Sequence, residues 1–284
     1  MAAVPLRSLA ALVTGGCLIA GLAGCGDRGN GQPVGSTSQR PGPLQSSAGR
    51  PADLSYELRY QGALDGGTVV DTSGRKNPGT VIAGGGGGVD AEQQDGAAAD
   101  PQAQAFLRFP ADPCSQPSGC PQAMIQPARP VNPGAAGTAA FSFGARVRLR
   151  AAPGEAGQNL IERGRAIAGQ PQWKLQVDHG EASCRWSDGQ TSLLLPDDLD
   201  ESFPMEQGRW YDLQCDRRAG GLFALVVRDP ASGQQLAEFS KPGSAIGAIA
   251  PKGPVSIGAK RIGGPDLQTD QFRGDLDDVF FHTE

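Results

Sequence analysis

Few residues in this chain have a type and spacing that could do chemistry. The densest acidic cluster is Asp197-Asp198-Leu199-Asp200-Glu201, flanked by Pro196 and Pro204. The prolines make it a loop, so its carboxylates read as solvated surface, with an ion site as the next reading. There are two histidines. His179 sits in the turn Asp178-His179-Gly180, and His282 lies near the C-terminus. Neither has a serine or cysteine context for a nucleophile, and Gly-x-Ser-x-Gly is absent. Both read as surface histidines. A chain with 42 glycines supplies Gly-x-Gly by accident, so no phosphate loop or dinucleotide fingerprint stands out. No Cys-x-x-Cys is present either, which argues against zinc.

The cysteines carry more information. Arg7 gives a short basic start, and Leu9 to Gly24 is mostly small and apolar. That order is a secretion signal. The run is shorter than the ~18 residues a membrane span needs. It also holds four glycines, Gly15, Gly16, Gly21 and Gly24. It closes as Leu22-Ala23-Gly24-Cys25, which resembles the lipobox of bacterial lipoproteins. That resemblance implies removal of residues 1–24, with Cys17 discarded among them, and lipidation of Cys25. Two acyl chains would attach the chain stably, since each buried methylene contributes about 0.8 kcal/mol. The expected location is the outer face of the cytoplasmic membrane, or a periplasmic or outer-membrane leaflet, with membrane lipid as a partner through Cys25. In an exported chain the four remaining cysteines, Cys114, Cys120, Cys184 and Cys215, suggest two disulfides. Three pairings are open. The favoured one joins Cys114 to Cys120 across a Pro-rich loop and Cys184 to Cys215 between two strands.

Losing residues 1–24 removes Arg7 from 25 basic side chains, leaving 24 against 30 acidic ones and a net charge of −6. Nucleic acid needs a basic face, so it is not an expected partner. Residues 26–52 are rich in Gly, Ser, Pro and Gln with no apolar period. They read as a flexible tether with a reach of about 30 Å.

From Asp53 to Glu284 the chain reads as one domain, large enough for a two-layer core. Phe141, Phe143, Ala145, Val147 and Leu149 alternate with polar residues and glycine. Trp173, Leu175 and Val177 do the same, as do Tyr211, Leu213 and Cys215. Leu222 to Arg228 is a more continuous apolar strand, and Val279 and Phe281 share one face. A period of two puts one face inside and one in water. Gly169-Gln170-Pro171, Ser187-Asp188-Gly189 and Arg218-Ala219-Gly220-Gly221 are turns. Glycines at 154, 157 and 164 argue against a helix over Glu155–Arg165. Short strands with turns every 8 to 12 residues predict an all-β antiparallel jelly-roll sandwich. The five glycines from Gly84 to Gly88 predict a long disordered excursion over 84–103.

Three patterns point to a family. Val69-Val70-Asp71-Thr72-Ser73-Gly74-Arg75-Lys76-Asn77-Pro78-Gly79 comes first, Gly208-Arg209-Trp210-Tyr211-Asp212-Leu213 follows, and Phe272-Arg273-Gly274-Asp275-Leu276-Asp277-Asp278-Val279 comes near the end. In this order they resemble the laminin-G-like jelly-roll domain of the concanavalin A-like lectin/glucanase superfamily. The segment before the first pattern, Tyr56-Glu57-Leu58-Arg59-Tyr60, departs from the family. The resemblance implies two curved antiparallel sheets with the first and last strands side by side. It also implies a structural calcium, held by Asp277 first, Asp71 second and Asp278 third. The hydrolases of the superfamily carry Glu-x-Asp-x-x-Glu, which is absent here. The expectation is therefore a non-catalytic binding module for a cell-envelope or extracellular glycan. A protein-binding or structural surface domain is the alternative, and a divergent glycan hydrolase the second alternative. Among possible ligand contacts, Trp186 ranks first, with Tyr56 and Tyr60 secondary. Trp173 and Trp210 are expected in the core.

Overall fold

The alternating segments become two stacked sheets in the computed structural model, which describes residues 56–94, 105–133, 137–152, 154, 156–197 and 201–284. The first sheet runs β2 (Thr68–Asp71), β1 (Tyr56–Asp65), β16 (Gly274–Thr283), β7 (Phe141–Leu149), β12 (Trp210–Arg217), β13 (Leu222–Arg228), β14 (Gln235–Pro242). The second runs β11 (Ser192–Leu195), β10 (Glu181–Asp188), β9 (Pro171–Asp178), β8 (Gln158–Gly164), β15 (Val255–Ile257), β6 (Gln122–Pro127), β3 (Gly79–Gly84). All neighbours pair antiparallel. Strand β2 also pairs with β3, so hydrogen bonding passes from one layer to the other. Two short strands, β4 (Asp90–Gln93) and β5 (Ala105–Arg108), extend the first sheet beside the start of β16. One helical turn, α1 (Asp266–Thr269), precedes β16. No helix among the described residues is long and apolar enough to cross a membrane.

The core lies between the sheets. Trp173 of β9 meets Phe143 of β7 at 4.8 Å and Phe281 of β16 at 5.1 Å between ring centroids. Trp186 of β10 meets Phe223 of β13 at 5.1 Å. The disulfide Cys184–Cys215 joins β10 to β12 across this layer, and Cys114–Cys120 closes the Pro-rich loop. The first and last strands pair directly, Leu58 opposite Phe281 and Tyr60 opposite Val279. Each covers an edge of the other that would otherwise be open to aggregation.

The glycine run behaves differently from its expectation. Gly84 closes β3, the Gly87 amide donates to the Gly84 carbonyl, and β4 follows at once. A Cβ on Gly85, whose φ is +59°, would lie 1.9 Å from the Cys120 carbonyl oxygen, and one on Gly87 would lie 2.3 Å from the Gln122 amide nitrogen. Close backbone approach demands glycine here. Residues 95–103 of the expected excursion are outside the described residues apart from this ordered start. So are the signal segment, Cys25, the tether and Asp198–Asp200.

Two further placements depart from expectation. Trp210 sits on the outer face of the first sheet, edge-on to Phe106 and beneath the Arg148 guanidinium at 4.6 Å. It opens β12 one residue before the inward Tyr211, so the alternation turns it out. His282 is 4% exposed rather than on the surface, packed against Tyr56 on that same outer face. Burial lowers its affinity for a proton.

Candidate functional site

The motif loop after β2 is a closed hydrogen-bonded unit. Asp71 Oδ1 accepts from the amides of Arg59 (3.1 Å) and Ser73 (3.0 Å), and Oδ2 from the Ser73 hydroxyl (2.7 Å) and the Asn77 amide (2.8 Å). Asn77 continues the unit. Its side chain exchanges two hydrogen bonds with the Arg129 backbone, and its carbonyl accepts from the Tyr60 hydroxyl at 2.8 Å. Gly79 completes it, because a Cβ there would lie 2.5 Å from the Ile125 side chain. Asp71, Ser73, Asn77 and Gly79 of the Asp-x-Ser-Gly-x-x-Asn-x-Gly pattern thus each have a structural task. Asp71→Ala would strand several donors, and a loss of roughly 2–3 kcal/mol is expected in denaturant unfolding.

The closing aspartates are also committed. Asp278 lies at a bulge in β16 with φ +45°, and its amide donates to Asp277 Oδ1 at 2.7 Å. Its carboxylate pairs with Arg59 at 2.6 Å. Arg146 faces Asp212 at 3.0 Å and Asp277 at 3.6 Å. Calcium wants six to eight oxygen ligands. Here Asp71 is filled by N–H and O–H donors, while Asp277 and Asp278 face guanidinium groups. No group of three or more His, Cys, Asp or Glu side chains is placed to hold a metal ion among the described residues. The set Asp277, Asp71 and Asp278 thus spends its oxygens on protein donors and does not fit calcium as placed.

Asp277 has a measurable consequence. Burial pushes its carboxyl up to about 6, against the pull of Arg146. The folded protein then binds this proton more tightly than the unfolded chain. Stability from this group is highest below about pH 4, falls as pH rises to about 6, and is flat above. Asp277→Asn should therefore melt higher than the parent at pH 7.5, by up to about 2–3 kcal/mol, and gain little at pH 4. Paired thermal melts at the two pH values check this.

The expected ligand contacts are not available. Trp186 and Tyr60 are fully buried and Tyr56 nearly so. Trp186 shares the inward face of β10 with Cys184, and alternation puts its neighbour Arg185 outside. Burial raises the Tyr60 phenol far above its usual range, and its hydroxyl is spent on Asn77. In the acidic loop, Asp197 pairs with Lys241.

A different surface has the makings of a site: the outward face of the second sheet. Antiparallel register lines up Ser256, Glu162, Lys174, Arg185 and Leu194 in one row across β15, β8, β9, β10 and β11. Asn159, Gln176 and Ser183 form a second row, and Gln172, Ser187 and Ser192 a third. Glu162, Lys174, Gln172, Asn159, Ser183 and Ser256 are all buried, although none belongs to the apolar core. Lys174 Nζ meets Asp270 at 3.0 Å and Glu162 at 4.0 Å. Asp270 is the left-handed residue that ends α1, and it also holds Lys260 at 2.8 Å. Burial raises the Glu162 carboxyl, with Lys174 pulling the other way, and the Asp178 carboxyl on the same strand as Lys174 is raised for the same reason.

Four buried polar atoms on these rows have no partner among the protein's groups: Asn159 Oδ1, Gln172 Oε1, Ser183 Oγ and Arg185 Nε. An unpaired buried polar group costs roughly 1–3 kcal/mol. Asn159 is fully buried and Gln172 nearly so, so these lie beneath the surface, while half-buried Gln176 and Arg185 and exposed Ser192 are open to a polar ligand.

A cavity of about 300 Å³ lies elsewhere, walled by Pro113, Cys114, Ala151 and Leu267. Its floor is structural: Arg273 binds both oxygens of Asp266 and the carbonyls of Pro110 and Pro121.

No protein-family model matches the chain, and no curated protein matches it by sequence. Solved structures match it in fold. The binding domain of Paraclostridial Mosquitocidal Protein 1 aligns with a TM-score of 0.52 at 12% identity, over 81% of this chain and 49% of that one. The binding domain of botulinum neurotoxin DC, in complex with rat synaptotagmin II, gives 0.50 at 12% identity, over 80% and 48%. The chain spans about half the length of the structures it matches. At this identity the likeness is one of fold, and the fold is an all-β sandwich.

Proposed function

We propose that this chain is a lipid-anchored, exported, non-catalytic binding module of laminin-G-like type, and that the outward face of its second sheet binds a glycan. The observation that carries the reading is the open polar patch of Gln176, Arg185 and Ser192 on β9, β10 and β11, where Arg185 Nε has no partner among the described residues. It mixes acceptors with donors. Sugar hydroxyls both donate and accept, so a ring laid across these rows satisfies both kinds. No aromatic side chain lies in these rows, so recognition here runs through hydrogen bonds. The two similar structures are themselves binding domains, which fits a binding role for this sandwich. Attachment through Cys25 rests on the Leu22-Ala23-Gly24-Cys25 motif and the tether behind it.

Two experiments test this. The full chain is passed over insoluble cell-wall and plant polysaccharides. Retention that competing soluble sugar releases, and that Gln176→Ala with Ser183→Ala weakens at least tenfold without lowering the melting temperature, is the expected result. No retention on any polymer, with capture by a surface protein instead, would move the function to the protein-binding alternative. For the anchor, labelled palmitate should enter the parent chain in a bacterial host and not Cys25→Ala. Equal labelling of both would overturn the lipoprotein reading.

A further inference from the structure

The second sheet's outward face carries charge on Glu162, Lys174, Asp178, Glu181 and Arg185, and Arg185 is the one of these that stands at the open end of the face next to β11. Lys174 is its direct neighbour across β9, and Leu194 its neighbour across β11. Ser183 and Ser187 flank it on its own strand, facing the same way. Two cations therefore stand opposite one another, an arrangement that destabilises a sheet. Lys174 is compensated by Asp270 and Glu162. Arg185 makes no ion pair among the described residues, and its Nε is buried without a partner. A half-buried guanidinium with no counter-charge is uncommon in a chain whose 30 acidic side chains outnumber its 25 basic ones.

We infer that Arg185 binds the anionic group of an acidic glycan laid across β9 to β11. This rests on the glycan reading above and narrows it to a ligand class. The guanidinium offers a planar fork of N–H donors that matches a carboxylate or a sulfate with two parallel bonds. Gln176, half-buried, and Ser192, exposed, lie in the adjoining rows and would take the neighbouring hydroxyls. Specificity would follow from the whole chain's charge. A protein with a formal net charge of −5 repels polyanions in general, so an acidic glycan must find a local cation to be held.

The test uses the full chain and four polymers in affinity electrophoresis: polygalacturonate, its fully methyl-esterified form, dextran sulfate and unsubstituted dextran. Retardation by polygalacturonate or dextran sulfate is expected, at least tenfold stronger than by the ester or the dextran, and weakened by added salt. Which of the two acidic polymers acts tells carboxylate from sulfate. Arg185→Gln should abolish the acid preference. It should also keep or raise the melting temperature, because it removes one of two opposed cations. Arg185→Lys, which keeps the charge but not the fork, should restore only part of the binding. Equal retardation by acidic and neutral polymers, unchanged in Arg185→Gln, would overturn this inference and leave the glycan reading in place. No retardation by any polymer, together with none in the wider polysaccharide panel, would overturn both.

Discussion

Replacing Trp173 by alanine is expected to cost the domain about 4 kcal/mol, the largest effect of any single substitution considered for this fold. Trp173 is fully buried and touches both Phe143 and Phe281, so it is pinned between β9 of one sheet and β7 and β16 of the other. Truncation would leave a cavity in the layer that holds the sheets together. The indole also carries a buried N–H with no partner. Trp173→Phe keeps most of the apolar contact and removes that unpaired donor, so it should cost far less than alanine. Urea unfolding of the two variants gives the comparison. A loss below about 1 kcal/mol for Trp173→Ala would mean that the two sheets do not pack as described. An outward residue of the same strand is a built-in control, since Gln176→Ala should leave stability almost unchanged.

Removing Cys184 and Cys215 together should cost nearly as much, about 3–4 kcal/mol. The crosslink closes a loop with a sequence separation of 31, and constraining a loop of that size in the unfolded chain contributes about 3.5 kcal/mol. The bond also joins β10 to β12 through the core, so its loss loosens the layer that seats Trp186. The short loop closed by Cys114 and Cys120, with a separation of 6, should matter less to global stability. Paired unfolding curves of the two double alanine variants would separate these effects. Equal losses would contradict the loop-closure account, which makes the longer loop cost more.

The sandwich was legible because its strands obey a strict period of two. Phe141 to Leu149 and Trp173 to Val177 each turn one apolar face inward, as their alternation requires. The favoured cysteine pairing follows the same logic, since Cys184 and Cys215 sit at inward positions of two strands that stack. The pattern around Asp71 marked a real unit as well, since Asp71, Ser73 and Asn77 use their polar atoms to close a loop. Alternation could have corrected the choice of Trp186. Its position beside Cys184 on one face sends Arg185 to the other, and the outward residue is the one a ligand can reach.

The candidate site itself was not legible, and the reason is its distance in sequence. Ser256, Glu162, Lys174 and Arg185 come from four strands and meet only through register. Strand β8 hides its period because a bulge between Asn159 and Ile161 puts consecutive residues out of step. Asp270 reaches Lys174 only because α1 ends there in a left-handed turn. Nothing local to any of these segments announces the others.

The most direct test of the account is hydrogen exchange on the full chain with and without a saturating oligogalacturonate. New protection is expected in β9, β10 and β11, around Gln176, Arg185 and Ser192, and its loss in Arg185→Gln. Protection confined to the first sheet or to the Asp71–Asn77 loop, or no protection despite binding, would contradict the assignment of the second sheet's outward face as the binding surface.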